Sequence, residues 1–283
     1  MTAHNDGVAP HAALRQHGLK PRKNLGQNFL RDRSYLERIL AAGEIGSCDT
    51  VLEIGAGTGV LTHALAAQAR GVVAVELDDS LVGLLLAEFE SVRNVEIWHG
   101  SALDFDPCCQ LREGYKLVGN IPYYITGPII RRYLEASCPP RCLVLMVQHE
   151  VAERIVAPPG SLSLLGVSVQ FYASAEIVAR VPSRAFFPRP KVDSAILRLS
   201  PHSSTITGPL RDAFFAVARA GFGMRRKQLV NSLSSGLSLS RDSGQDLLAR
   251  AGIDEKRRAE TLSIAEWTEL ARYWRDGQGM GEA

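Results

Sequence analysis

Between residues 51 and 66 the chain runs Val51-Leu52-Glu53-Ile54, then Gly55-Ala56-Gly57-Thr58-Gly59, then Val60 onward with helical spacing. A short apolar strand, a loop made mostly of glycine and a helix start, in that order, leave few folds open. The glycines let the backbone turn sharply and let a ligand approach the helix start without meeting Cβ atoms. A second strand is predicted over Val72–Val75, and Glu76 closes it, twenty-one residues beyond Gly55. A carboxylate at that position is placed to accept from the ribose hydroxyls of an adenosine-containing ligand.

The alternation continues along the chain. A helix is predicted over Ser80–Phe89, strands over Val95–Trp98 and Lys116–Gly119, a helix over Pro128–Leu134 and a strand over Leu143–Val147. Short apolar strands separated by helices specify an α/β fold with a doubly wound parallel sheet. Beyond Glu150 three strand-like stretches, Val167–Tyr172, Ile177–Val181 and Ala195–Leu199, are separated by turn residues. Pro201–Pro209, rich in Ser, Thr, Pro and Gly, reads as a linker. After it Leu210, Phe214, Val217, Ala218 and Phe222 share one helical face, and Ile264, Trp267, Leu270, Ala271 and Trp274 share another, with Ser263 and Glu266 set as a capping box. The expected organisation is a flexible tail over 1–19, an α/β domain over 20–202 and a small all-α domain over 203–283. With 46% hydrophobic residues in 283, the chain can bury cores for both.

Several classes are excluded at this point. Apolar stretches such as Cys142–Val147 and Ser80–Leu86 are too short to cross a bilayer, and the N-terminal segment lacks the apolar core of a signal peptide, so a soluble cytoplasmic protein is expected, without membrane contact and as a monomer. The seven histidines are scattered without ligand spacing, and no metal site is expected. Five cysteines, with Cys108 and Cys109 adjacent and no Cys-x-x-Cys, read as reduced, mostly buried thiols. A net charge of +2 means that any affinity for nucleic acid must come from local clusters. Two are visible: Lys20, Arg22, Lys23, Arg31 and Arg33, and Arg225-Arg226-Lys227 with Lys256-Arg257-Arg258 further on.

The glycine loop also discriminates between cofactors. A dinucleotide site requires Gly-x-Gly-x-x-Gly to seat a pyrophosphate, but Val60 stands at the last position and the third glycine comes one place early, at Gly59. Glu53, just before the glycines, suits a ligand that carries a cation. The reading is therefore S-adenosylmethionine, with a nicotinamide-dependent oxidoreductase as the alternative. A second loop, Asn120-Ile121-Pro122-Tyr123-Tyr124, follows the fourth parallel strand and should face the same crevice. Its chemistry suits an aromatic amine. Such a nitrogen is a poor nucleophile because its lone pair is delocalised, and two acceptors on its hydrogens favour a pyramidal nitrogen. Asn120 offers a side-chain oxygen, Ile121 a carbonyl, and Tyr123 a ring to stack on a base.

These motifs, with Lys23-Asn24-Leu25-Gly26-Gln27-Asn28-Phe29-Leu30 and Phe186-Phe187-Pro188-Arg189-Pro190-Lys191-Val192-Asp193-Ser194, closely resemble the ribosomal RNA adenine dimethyltransferases. The resemblance runs from Lys20 to Ser200 in order. It implies a Rossmann-like class I methyltransferase domain that moves methyl groups from S-adenosylmethionine to adenine N6. By resemblance Asn28 and Leu30 close over the cofactor, Gly55 and Gly57 lie under it, Glu76 takes the ribose and Asn120 serves both cofactor and catalysis. Tyr123 and Phe186 would sandwich the target base, while Arg22, Lys23, Arg225, Arg226 and Lys227 would hold RNA phosphates. Gln148–Arg154 and Phe222–Leu233 resemble the KsgA branch, whose substrate is a pair of adjacent adenosines in a hairpin loop near the 3′ end of 16S rRNA in the 30S subunit or its precursor. The alternatives are the Erm branch, which modifies 23S rRNA, and a non-catalytic ribosome-assembly factor. Two departures stand out. Gly100-Ser101-Ala102 replaces the family's Gly-Asp-Ala, so Ser101 faces the cofactor's adenine, with Asp104 close by in sequence. The segment Ser161–Val169 lacks the family's tyrosine-glycine stretch.

Overall fold

A computed structural model describes residues 10–111, 113–202, 208–224 and 226–278. In chain order the elements are α1 (Pro10–Gln16), β1 (Phe29–Leu30), α2 (Ser34–Ala42), β2 (Thr50–Ile54), α3 (Val60–Ala66), β3 (Gly71–Glu76), α4 (Asp79–Phe89), β4 (Val95–His99), α5 (Pro107–Gln110), β5 (Lys116–Asn120), α6 (Thr126–Leu134), β6 (Cys142–Gln148), α7 (His149–Val156), α8 (Leu164–Gln170), β7 (Ala173–Val181), β8 (Phe186–Phe187) and β9 (Ser194–Pro201), then α9 (Pro209–Phe222), α10 (Leu229–Gly236), α11 (Arg241–Arg250) and α12 (Ile264–Gln278). They divide into two compact units, 1–152 with 174–201 and 153–173 with 202–283.

In the first unit the sheet order is β4-β3-β2-β5-β6-β9-β7, with β4, β3, β2, β5 and β6 parallel and β9 antiparallel to β6. Strands added after β2 go to one side of it and β5 goes to the other, which makes the β2–β5 boundary the switch point. Ligands of such sheets sit there, beyond the strand carboxyl ends. The central strands are mostly apolar, as burial on both faces favours, with Val51, Leu52, Leu117, Val118, Leu143 and Val144 all essentially solvent-free and Glu53 the buried exception. A separate two-stranded ribbon pairs Phe29 with Phe187 and Leu30 with Phe186.

The second unit packs helices around Trp267, Phe214, Leu229, Leu233 and Leu248. The expected faces of α9 and α12 both enter this core, with Phe214, Val217, Ala218, Trp267, Leu270 and Ala271 buried.

Three expectations are corrected. Val167–Tyr172 is not a strand: Ser163 caps a helix by accepting from Gly166 N (3.1 Å), and Val167 and Phe171 turn into the helical core. This segment belongs to the second unit. Pro10–Gln16, read as tail, is helical, because Leu14 is buried against Phe29 and Leu81. Finally, Cys108 is disulfide-bonded to Cys138, Cys48 and Cys109 are exposed, and of the unbridged cysteines only Cys142 is buried.

Candidate active site

The glycine loop takes its shape from three left-handed residues, Gly55, Gly57 and Gly59 (φ 74°, 61° and 80°). A Cβ on Gly55 would stand 3.3 Å from the Asn120 carbonyl, so the lack of a side chain brings the ends of β2 and β5 together. Glu76, at the end of β3, is pinned by the backbone: Oε2 accepts from Gly57 N (2.8 Å) and Oε1 from Leu77 N and Asp78 N (2.9 Å each). Burial pushes its pKa up and these N–H groups pull it back. With three of about four acceptor positions filled, roughly one remains for a ligand hydroxyl.

Glu53 is different. It is buried, neither carboxylate oxygen has a partner at hydrogen-bond geometry among the described residues, and burial raises its pKa to about 8, with the neighbouring Thr62 hydroxyl pulling it down and the Glu76 charge pushing it up. It lines a small recess with Leu30, Gly55, Gly57 and Asn120.

The segment before β1 is clamped over the crevice by Asp78, which caps α4 (Ser80 N, 3.0 Å), pairs with Arg22 (3.1 Å) and accepts from Gln27 Nε2 (2.8 Å). Arg22 therefore anchors the loop. Gly26 (φ 64°) lets the segment approach the Asn120 loop: a Cβ there would lie 3.3 Å from Pro122 Cβ. The link that matters most is Asn120 Nδ2 donating to the Asn28 carbonyl at 2.8 Å. The amide nitrogen is thereby occupied, and among the described residues no donor reaches Oδ1. Tyr123 is fixed through its hydroxyl, 2.7 Å from the fully buried Ser194 Oγ.

These elements enclose a crevice of about 300 Å³, lined by Asn28, Gly55, Gly57, Glu76, Ser101, Asn120, Ile121 and Tyr123 among others. Ser101 Oγ accepts from Leu103 N (3.2 Å) within its own turn, while Asp104 is exposed and lies outside the lining. Phe186 is not brought to the crevice. On a two-residue strand successive side chains point to opposite faces, and Phe186 (2% exposed) turns into the core with Leu36 and Val181, leaving Phe187 outward. Lys23, Arg226 and Lys227 are exposed; Arg225 lies outside the described residues. Asp78, Gln27 and Ser194 are site residues that sequence reasoning misses. Only the Asp78 cap, preceding an apolar helix, leaves a local signal.

Strand order and the place of the crevice define the first unit as a Rossmann-like methyltransferase. The model of the ribosomal RNA adenine dimethylase family matches residues 18–276, and the chain belongs to that family. It is 47% identical over 255 residues to the ribosomal RNA small subunit methyltransferase A of Dehalococcoides mccartyi, covering 89% of this chain and 88% of that one. Its identity to the protein of the same name from Pelotomaculum thermopropionicum is 43% over 282 residues, 94% and 96% of the two chains. Among solved structures it is similar to a dimethyladenosine transferase from Plasmodium falciparum (TM-score 0.76, 26% identity, 88% of this chain and 98% of that one) and to the 23S rRNA methyltransferase ErmE (TM-score 0.71, 30% identity, 87% and 98%).

Proposed function

We propose that this protein transfers methyl groups to N6 of two adjacent adenosines in the 3′-terminal hairpin loop of 16S rRNA, within the 30S subunit or its precursor, and takes part in small-subunit biogenesis. The observation that carries the chemistry is the Asn28–Asn120 hydrogen bond, which leaves Asn120 Oδ1 as the unengaged half of a fixed amide in the crevice. The small-subunit substrate is favoured over the large-subunit one because relatives at 43–47% identity carry the small-subunit name, against 30% for ErmE.

The residues present fit S-adenosylmethionine. Glu76 is a pre-organised acceptor for a ribose hydroxyl, Gly55 and Gly57 line the crevice with bare backbone, and Glu53 is a buried carboxyl without a partner at hydrogen-bond geometry, suited to a cationic amino-acid end. Asn28, Leu30, Gly55, Gly57, Glu76, Ser101 and Asn120 would hold the cofactor. When bound, it supplies a methyl group on a cationic sulfonium, so the acceptor amine needs no prior ionisation.

Asn120 Oδ1 and the Ile121 carbonyl accept the N6 hydrogens and draw the nitrogen toward a pyramidal shape. Tyr123, held by Ser194, presents its ring to the base and favours positive charge developing on it. An adenine reaches this crevice only after leaving its stack, and a hairpin loop lowers that cost. Lys23, Arg226 and Lys227 supply exposed charge for phosphates. Among the described residues no helix is long and apolar enough to cross a membrane; a cytoplasmic monomer is the state proposed.

Mass spectrometry of rRNA from unmethylated 30S and 50S particles, each incubated with protein and S-adenosylmethionine, tests the proposal. Two N6,N6-dimethyladenosines in the 3′-terminal loop are expected. Modification of 23S rRNA alone, or none at all, would overturn it.

A further inference from the structure

The first unit holds a second built concavity. A cavity of about 480 Å³ is lined by His11, Arg15, Lys20, Pro21, Arg31 and Phe187 among others. Its floor is fixed, because Leu14 is buried with Phe29 and Leu81 and so ties α1 to the sheet-bearing unit. No carboxylate lines it, and Arg15, Lys20 and Arg31 have no ion-pair partner among the described residues. The contrast with Arg22 is informative: one position from the cavity's Pro21, it is engaged by buried Asp78. Three cations left uncompensated around one hollow make it attractive to an anion.

The second component is an aromatic surface. Phe187 is 36% exposed, with the His11 ring meeting it edge-on at 6.0 Å. Its exposure follows from the two-residue strand, on which Phe186 takes the inward position. Across the ribbon Phe187 faces Phe29, which lines the crevice. Directly paired residues on adjacent strands stand about 5 Å apart, so cavity and crevice share the ribbon as a wall. A flat apolar ring beside separated cations, with no acid among the described lining residues, matches one nucleotide: the base stacks on the ring and the phosphodiester takes the charge.

Resting on the RNA-methylating function proposed above, the geometry points to a subsite here for an unpaired nucleotide flanking the target adenosine. Its base lies on Phe187 and its phosphate is held by Arg15, Lys20 and Arg31. The hollow takes any base, because stacking needs only a π face, and it acts on RNA affinity.

The test uses the full chain and unmethylated 30S particles. Phe187→Ala should raise KM for the particle about 5- to 100-fold, and Phe187→Trp should restore it. Arg31→Gln should weaken particle binding and lower the slope of log affinity against log salt by about 0.7–0.9. Both variants should keep wild-type affinity for S-adenosylhomocysteine and the wild-type melting temperature, since both side chains are exposed. Ultraviolet cross-linking should join the peptide bearing Phe187 to 16S rRNA. If wild type methylates the particle while Phe187→Ala and Arg31→Gln match its KM and salt slope, the subsite is wrong and the function stands. Should wild type transfer no methyl group to the particle, the function fails and the subsite with it.

Discussion

Asn120 offers an oxygen to the crevice because Asn28 has taken the other half of its amide. The place of Asn120 in the crevice was legible in the sequence, since an Asn-Ile-Pro-Tyr turn after a parallel strand lies beyond the carboxyl end of the sheet. Its partner was not, because the hydrogen bond joins residues 92 apart and uses a backbone carbonyl that any residue could have supplied. Separations of 71 and 51 residues likewise hid the contacts of Ser194 with Tyr123 and of Asp78 with Gln27. Ser194→Ala should free the Tyr123 hydroxyl and lower the methylation rate about 2- to 10-fold, measured under single-turnover conditions, with a fall of a few degrees at most in melting temperature. Glu53 makes a prediction of the opposite kind. Its folded-state pKa of about 8 lies above the ordinary 4.5, so the protonated carboxyl is favoured by folding. The stability it contributes is complete below about pH 4.5 and is lost as pH rises through 8, at up to about 1.4 kcal/mol per pH unit. Glu53→Gln should flatten that decline, which denaturant titrations between pH 5 and 9 would detect.

Among the elements, those with a strong period were readable and those made by long-range pairing were not. The central strands and helices α3, α4, α9 and α12 announce themselves by buried runs or apolar faces. The ribbon of β1 and β8 has two residues per strand and therefore no period to read. It was this ribbon that decided which of Phe186 and Phe187 is buried. For α8, valines at 167 and 169 imitate a strand, and the Ser163 cap settles the matter. The capping box at the start of α12 was legible: Ser263 N donates to Glu266 Oε2 (2.7 Å) and Glu266 N to Ser263 Oγ (3.2 Å). Arg257 pairs with the same carboxylate and, as the largest cause, draws its pKa down to about 2. Ser263→Ala should cost about 1 kcal/mol of stability, measured by chemical denaturation. In the glycine loop, Gly59→Ala would put a Cβ 2.8 Å from the Phe89 ring at a φ of +80°. Lower cofactor affinity and a lower melting temperature are expected together, read by calorimetry.

For the whole molecule, a pattern of strand, glycine loop, helix and acidic strand end was enough to indicate a doubly wound parallel sheet and a crevice shared by the two loops, because buried parallel strands tolerate so few arrangements; the strand order and the place of the antiparallel β9 were not legible. Less of the chain's division was visible: the helical unit takes in 153–173 as well as the C-terminal region, a discontinuity that composition does not mark. The Cys108–Cys138 bond was equally hidden, its partners being 30 residues apart. Charge, too, works locally in a molecule of net charge +2. Replacing both Arg226 and Lys227 with Gln should lower particle affinity and reduce its salt slope by about 0.7–0.9 for each phosphate no longer neutralised, with S-adenosylhomocysteine binding intact. In the mechanism proposed above, catalysis depends on a fixed amide oxygen that activates a weakly nucleophilic nitrogen. The most direct measurement is the single-turnover rate of methyl transfer by Asn120→Ala on unmethylated 30S particles. A fall of about 10²- to 10³-fold with the fold intact is predicted; transfer at the wild-type rate would contradict it.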